Sequence, residues 1–200
     1  MDTIPGVMVR RALVAGFCMF AVTCGGGALQ ASTRMVERTS LPAVDTGSAQ
    51  SGLLASLTPV RLVIPRIAVD ARIEARGLDP NRNLDVPVDY RDVAWYNLGP
   101  APGQPGNAIL NGHVNWWTGS AVFTRLSELR QGDRIAVVRG DGSTLTFRVT
   151  KSSVVLATAR VASLFAPSPA AGLTLITCSG QWDAGLGSDT HRLLVSAVLA

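Results

Sequence analysis

From Val60 onward the chain alternates apolar and polar positions in short runs broken by Gly, Pro and Asp, a period of two and not of a helix. Val60 to Ile64 is an apolar run closed by Pro65, and Ile67 to Ile73 alternates, which predicts two strands separated by a bend. Leu84-Asp85-Val86-Pro87-Val88 reads as an edge strand, because Pro87 cannot donate to a ladder. Leu98 to Gly106 is rich in glycine and proline and reads as loop; Asn107 to His113 returns to strand character and ends in polar residues. Val122 to Leu129 spaces its apolar residues for one helical face, with Gly132 as the stop. Arg134 to Arg139 and Thr144 to Val149 flank Gly140-Asp141-Gly142 as a hairpin, Val161 to Phe165 allows one helical turn before Pro167, and Leu173 to Thr177 and Leu193 to Leu199 supply two last strands. Many short strands with few helical segments predict an all-β, closed or nearly closed barrel of about eight strands with one or two short helices.

The first 57 residues break this pattern. Arg10 and Arg11 precede an uncharged apolar stretch from Ala12 to Leu29, about 18 residues, the short edge of a membrane span. Its cationic flank predicts a single pass with the rest of the chain outside the cytoplasm, as a retained anchor or a cleaved signal over residues 1–29. Cys24 in Ala21-Val22-Thr23-Cys24-Gly25 loosely resembles a lipoprotein box, with Thr23 a poor fit. Residues 30–57, rich in Ser, Thr, Gly, Ala and Pro, have the composition of a flexible tether. About 140 residues remain from Thr58 to Ala200, enough for one domain with a real core, expected to be monomeric.

Charge and cysteine content narrow the function. The net charge of +4 comes from scattered arginines with no basic run interleaved with aromatics, so no nucleic-acid partner is expected. Of three cysteines, Cys18 and Cys24 lie in the apolar segment, so the domain has no disulfide framework and must be stabilised by packing. Cys178, the remaining one, ends the run Leu173 to Thr177 before Ser179-Gly180. An unpaired thiol in an exported domain is a candidate nucleophile, though a free cysteine without supporting groups is more often an inert buried residue.

A cysteine nucleophile is helped by a base or cationic neighbour. His113 stands at a polar strand exit; His191 and Arg192 are neighbours at the start of the last strand and point to opposite faces, so only one can face the site. His191 is expected to face solvent. Two antiparallel strands joined by a loop from Gln181 to Thr190 would set Cys178 beside Arg192, whose guanidinium can stabilise an oxyanion. Asp85, Asp89 and Asp92 lack calcium-loop spacing, and the alternation Asp85, Pro87, Asp89 reads as a solvated strand face, so no metal or cofactor is expected.

The blocks that carry these residues resemble a known family. Thr174-Leu175-Ile176-Thr177-Cys178 is similar to the TLxTC signature of the sortases, cysteine transpeptidases of Gram-positive surfaces. Asn107 to His113 resembles the strand bearing the sortase histidine, Val122-Phe123 through Gly132-Asp133 the segment that follows it, and Arg192 to Ala197 the strand bearing the arginine. Ile176 to Asp183 most resembles the version found in actinobacterial class F enzymes, with Ser179 where glycine is common, Trp116-Trp117 bulkier than the usual polar loop, and arginine at 192 where class F often carries asparagine.

The resemblance implies a sortase barrel whose Cys178 attacks the Thr to Gly carbonyl of an LPxTG-like sorting signal of a surface protein. The thioacyl-enzyme would pass its acyl group to an amine acceptor, such as a peptidoglycan precursor, or to water. It further implies His113 as general acid and base, Arg192 as oxyanion or carbonyl ligand, and Thr177, Trp116 and Ser179 as substrate-binding residues. Two alternatives stand beside it. An L,D-transpeptidase would place its cysteine and histidine close in sequence, unlike Cys178 and His113; a non-catalytic tethered domain binding peptide or cell wall would be expected to lack one of Cys178, His113 and Arg192.

Overall fold

The structure, a computed structural model, describes residues 57–200. The expected anchor (1–29) and nearly all of the expected tether (30–57) lie outside the described residues. Eight strands close a barrel: β1 (Pro59–Ile64), β2 (Val69–Arg76), β3 (Val93–Tyr96), β4 (Gly106–Asn111), β9 (Ala171–Asp183), β10 (Ser188–Leu199), β8 (Thr144–Leu156) and β7 (Arg134–Arg139), in that order around the sheet. A separate two-stranded sheet pairs β5 (Asn115–Trp116) with β6 (Gly119–Ser120). The β2–β3 and β4–β9 pairs are parallel, and the other pairings of the barrel are antiparallel. Among the described residues no helix is long and apolar enough to cross a membrane.

Alternation within the strands builds two apolar layers. Leu110 of β4, Leu173 and Leu175 of β9, and Leu193 and Val195 of β10 point into the barrel with Leu62, Val137 and Phe147. Burying each such side chain contributes about 1.5–3 kcal/mol relative to exposure. The intervening positions Ile109, Ile176 and Leu194 form a second cluster on the outer face, covered by Val161, Leu164, Leu84 and Tyr96. The Asn107 side-chain amide ties this cover down by donating to the Leu164 carbonyl at 3.0 Å. The strands that carry the site are thus buried on both faces, as a fixed platform requires.

Several expectations are corrected. Leu84 to Val88 is no edge strand: only an isolated bridge pairs Leu78 with Leu84, and the carbonyls of Asp85 and Pro87 turn to the side chains of Asn111 and His113. The helix expected over Val122 to Leu129 shrinks to turns and a 3-10 turn at Leu126–Glu128. Its buried residues Phe123, Leu126 and Leu129 recur every third position, which suits the tighter winding. β3, whose four residues are all apolar or aromatic, has no alternation to mark it. The expected loop from Gln181 to Thr190 is mostly hairpin: β9 runs past Cys178 to Asp183, and pairing with β10 resumes at Asp189 with Trp182 after a register shift. Gly180, at φ +88°, makes that shift feasible, since a Cβ there would come within 2.5 Å of Thr190 Oγ1.

Candidate active site

Three adjacent strands carry the candidate residues, and their registers fix the spacing. The parallel ladder pairs Asn111 of β4 with Ile176 of β9. It continues past the strand end: the Gly112 amide donates to the Ile176 carbonyl at 3.1 Å, and Thr177 Oγ1 donates to the Gly112 carbonyl at 2.8 Å. The same register carries His113 alongside Cys178. On the other side of β9, Cys178 is the direct cross-strand partner of Arg192. His113, Cys178 and Arg192 therefore form a row across β4, β9 and β10, and all three are half-buried. Cys178 is a free thiol.

Each end of the row is oriented by main-chain oxygens. His113 Nε2 lies 3.3 Å from the Pro87 carbonyl, which can only accept, so Nε2 is the nitrogen that donates and Nδ1 is the one left for proton exchange. The ring also packs edge-on against Trp116, with centroids 5.1 Å apart, and Trp116 in turn stacks on Tyr90 at 5.6 Å. Arg192 donates through Nη1 to the carbonyls of Asp189 (2.9 Å) and His191 (2.8 Å) and through Nη2 to Ser188 Oγ (2.7 Å). Among the described residues no carboxylate pairs with it, so its charge is fixed in place yet not neutralised.

The remaining expected residues divide. Ser179 is half-buried beside Cys178 and lines a cavity of about 360 Å³. Thr177 also lines it but is 3% exposed, with its hydroxyl engaged by Gly112; it ties β9 to the exit of β4. Trp116, on β5, buttresses His113, while Trp117 is 92% exposed. His191, expected to face solvent, is half-buried, with its Nδ1 2.9 Å from Thr190 Oγ1.

Gly112, Pro87 and Asp189 are missed by sequence reasoning. A Cβ on Gly112 would come within 2.7 Å of Val122 and 2.9 Å of Phe123, so only glycine lets the segment after β6 close on the strand exit, where the Phe123 amide donates to the His113 carbonyl at 2.9 Å. Pro87 acts through its carbonyl, which no side-chain pattern reveals. The Pro87 loop is braced by Asp89, which Arg91 bonds at 2.8 Å, holding its carboxyl down at about 2. Asp85 pairs instead with Arg76, so both acidic residues read as a solvated strand face are ion-paired. Asp189 lines the cavity with Cys178 and Trp182, and its carboxylate pairs with no other described residue. Among the described residues no cluster of His, Cys, Asp or Glu has a metal-binding arrangement.

A thiol between an imidazole and a fixed guanidinium can perform acyl transfer: attack, proton transfer to a leaving group, and stabilisation of an oxyanion. The model of the sortase domain matches residues 62–200. Among solved structures, the chain is similar to sortase C-1 from Actinomyces oris, 28% identical with TM-score 0.56, covering 78% of this chain and 83% of that one. It is also similar to a lid mutant of sortase A from Corynebacterium diphtheriae, 25% identical with TM-score 0.56, covering 72% and 70%. Sortase C1 from Streptococcus agalactiae, at 22% identity and TM-score 0.56, shares the fold over 70% of this chain and 66% of that one. No curated protein sequence matches.

Proposed function

This chain belongs to the sortase family, and from that premise we propose that it is a membrane-tethered cysteine transpeptidase that cleaves an LPxTG-like sorting signal between Thr and Gly. The observation that carries the reading is the row itself: Cys178 pairs with Arg192 across β9 and β10, and the β4–β9 register, continued past Asn111 by the Gly112–Ile176 hydrogen bond, brings His113 alongside Cys178.

In the proposed mechanism the Cys178 thiolate attacks the Thr carbonyl, forming a C–S bond, while Arg192 takes the charge that develops on the oxygen. Collapse breaks the C–N bond to Gly, and His113, protonated in this step, gives its proton to the departing amine. The thioacyl-enzyme is then resolved by an amine acceptor, or by water, with His113 taking a proton from the attacking group. Trp116 and the Pro87 carbonyl hold the imidazole for both transfers. Ser179, the residue after the thiol, is read as a contact of the bound peptide.

The run Ile176-Thr177-Cys178-Ser179-Gly180-Gln181-Trp182-Asp183 supports a class F type of signal handling. The apolar stretch from Ala12 to Leu29 behind Arg10 and Arg11 supports a single-pass anchor with the barrel outside the cytoplasm. The test is product analysis of the full chain with a panel of LPxTG and LAxTG peptides, with and without an amine. Cleavage between Thr and Gly, with an amide product when amine is present, is expected; a folded chain that cleaves none of the panel would overturn the proposal.

A further inference from the structure

We infer that Asn111 is a positioning residue for the proposed reaction: its side-chain amide sets the segment from Asp85 to Pro87 against β4 and so aims the Pro87 carbonyl that holds His113. The inference rests on the sortase reading for what the held imidazole does, and on hydrogen bonds alone for what holds it.

The segment from Asp85 to Pro87 belongs to no strand, and two of its carbonyls are taken by side chains in step. Asn111 Nδ2 donates to the Asp85 carbonyl at 3.0 Å, and two residues further along both chains His113 Nε2 lies 3.3 Å from the Pro87 carbonyl. Side chains two apart on an extended chain share a face, and so do carbonyls two apart, so the contacts form consecutive rungs of one ladder. Pro87 keeps the rungs in step, because its ring fixes its own φ and restricts Val86 to extended backbone. The segment is otherwise tied to β2 and the residue after it. The Asp85 amide donates to the Gly77 carbonyl at 3.2 Å, the Asp85 carboxylate pairs with Arg76, and the Val88 amide donates to the Glu74 carboxylate. Those contacts fix the segment relative to β2; the Asn111 amide fixes it relative to the strand that His113 leaves.

Stability does not account for an asparagine at this position. Asn111 Oδ1 is buried with no hydrogen-bond partner among the described residues, a cost that an apolar side chain would not carry. Its neighbours on the same face, Ile109 on β4 and its cross-strand partner Ile176, belong to the outer apolar cluster. Asn107, four residues earlier on that face, shows what a structural asparagine does here: its Nδ2 donates to the Leu164 carbonyl and its Oδ1 accepts from the Thr174 hydroxyl, each at 3.0 Å. Asn107 is fully satisfied, whereas Asn111 keeps a buried, unpaired oxygen for the sake of one bond to the segment that orients His113.

With Nε2 on the Pro87 carbonyl and the ring edge against Trp116, the imidazole is held in one orientation and Nδ1 is left for proton exchange. Without the Asn111 rung the Pro87 carbonyl loses its reference to β4, the contact to Nε2 opens, and the ring samples orientations from which proton transfer is slower. Asn111 touches neither substrate nor reacting atoms in this account; it acts through the segment it holds.

The test compares substitutions of the two asparagines in the full chain. In Asn111→Leu, similar in size and suited to the outer cluster, exchange of the His113 Nε2–H with water should be about ten-fold faster by nitrogen-resolved NMR. In the same variant kcat for sorting-signal cleavage should fall about five- to ten-fold with KM within about two-fold, and Tm should stay within about 2 °C of wild type. Asn111→Ala removes the same donor without filling the space and should reproduce the exchange and kcat changes. Asn107→Leu leaves the Leu164 carbonyl and the Thr174 hydroxyl unpaired, so Tm should fall by about 3–6 °C while His113 exchange stays within about two-fold. Wild-type exchange in both Asn111 variants, or equal acceleration in Asn107→Leu, would overturn the positioning role. The exchange measurement needs no substrate, so failure of the sortase reading is seen separately, as a wild type that forms no adduct on Cys178 while the exchange difference persists.

Discussion

The two sides of the site are built differently. Cys178 and Arg192 sit on long strands whose flanking residues are buried above and below, and His113 follows two residues past the end of β4, so the spacing of the row is set by ladder register. The rim that surrounds it consists of the loop from Gly77 to Asp92, the short β5–β6 hairpin and the tip of β9–β10, and its large side chains Trp116, Trp117 and Trp182 are exposed to different degrees. In the proposed reaction, chemistry that tolerates little displacement falls to the rigid part, and contacts that would select substrates fall to the part with fewer buried neighbours.

Substitutions in the row should therefore abolish chemistry with little change in stability, and substitutions in the rim should tune it. Cys178→Ala is expected to remove peptide cleavage to the background rate while thermal unfolding stays close to wild type, as scanning calorimetry would report. Arg192→Lys keeps the charge but loses the fork that bonds Asp189, His191 and Ser188, so kcat should fall about 10²–10³-fold, the range typical for a lost oxyanion donor. A kcat within a few-fold of wild type would remove Arg192 from the row.

Thr177→Val tests the tie between β9 and β4. It leaves the Gly112 carbonyl without its side-chain donor and should cost about 1–2 kcal/mol in denaturant unfolding, with kcat falling more than KM rises because His113 is one residue beyond. Trp116→Ala removes the buttress on His113 together with the stack on Tyr90, so a kcat loss of about five-fold with a shifted pH profile and little stability change is expected. Trp116→Phe should recover most of the loss, a rescue that a purely peptide-contacting tryptophan would not give in the pH profile.

Asp89→Asn should have the smallest effect. Arg91 holds the Asp89 carboxyl at about 2 in the folded chain, below its unfolded value of 3.8. A depressed folded value means that the pair stabilises fully above the unfolded value and that this contribution is lost as pH falls through the folded one. The Tm difference between wild type and Asp89→Asn should be small at neutral pH, because the pair is exposed, and should vanish as pH falls from about 4 toward about 2. A difference that grows in acid would contradict the assignment.

The row was legible in the sequence because its residues lie in strongly patterned runs: alternation places the strands, and the blocks around His113, Cys178 and Arg192 carry the family resemblance. The closed barrel was legible for the same reason. What surrounds the row was not. The Pro87 carbonyl that orients His113 comes from a segment whose alternation suggested a strand, and main-chain acceptors leave no mark in a sequence. The face reversal at Gly180 follows from one extra residue in β9, visible only once the register with β10 is known. Val93 to Tyr96 is too short and too uniformly apolar to show a period. The apolar spacing from Phe123 to Leu129 fits a helix nearly as well as the 3-10 winding it adopts.

The central claim is that the thiol of the row carries the acyl group. Its most direct test is the intact mass of the full chain after brief reaction with a sorting-signal peptide and acid quench, followed by peptide mapping. A mass gain equal to the peptide acylated through its Thr carbonyl, mapped to Cys178, absent in Cys178→Ala and slowed in Arg192→Lys, is the predicted result. Cleavage that persists in Cys178→Ala, or an adduct that maps to another residue, would contradict it.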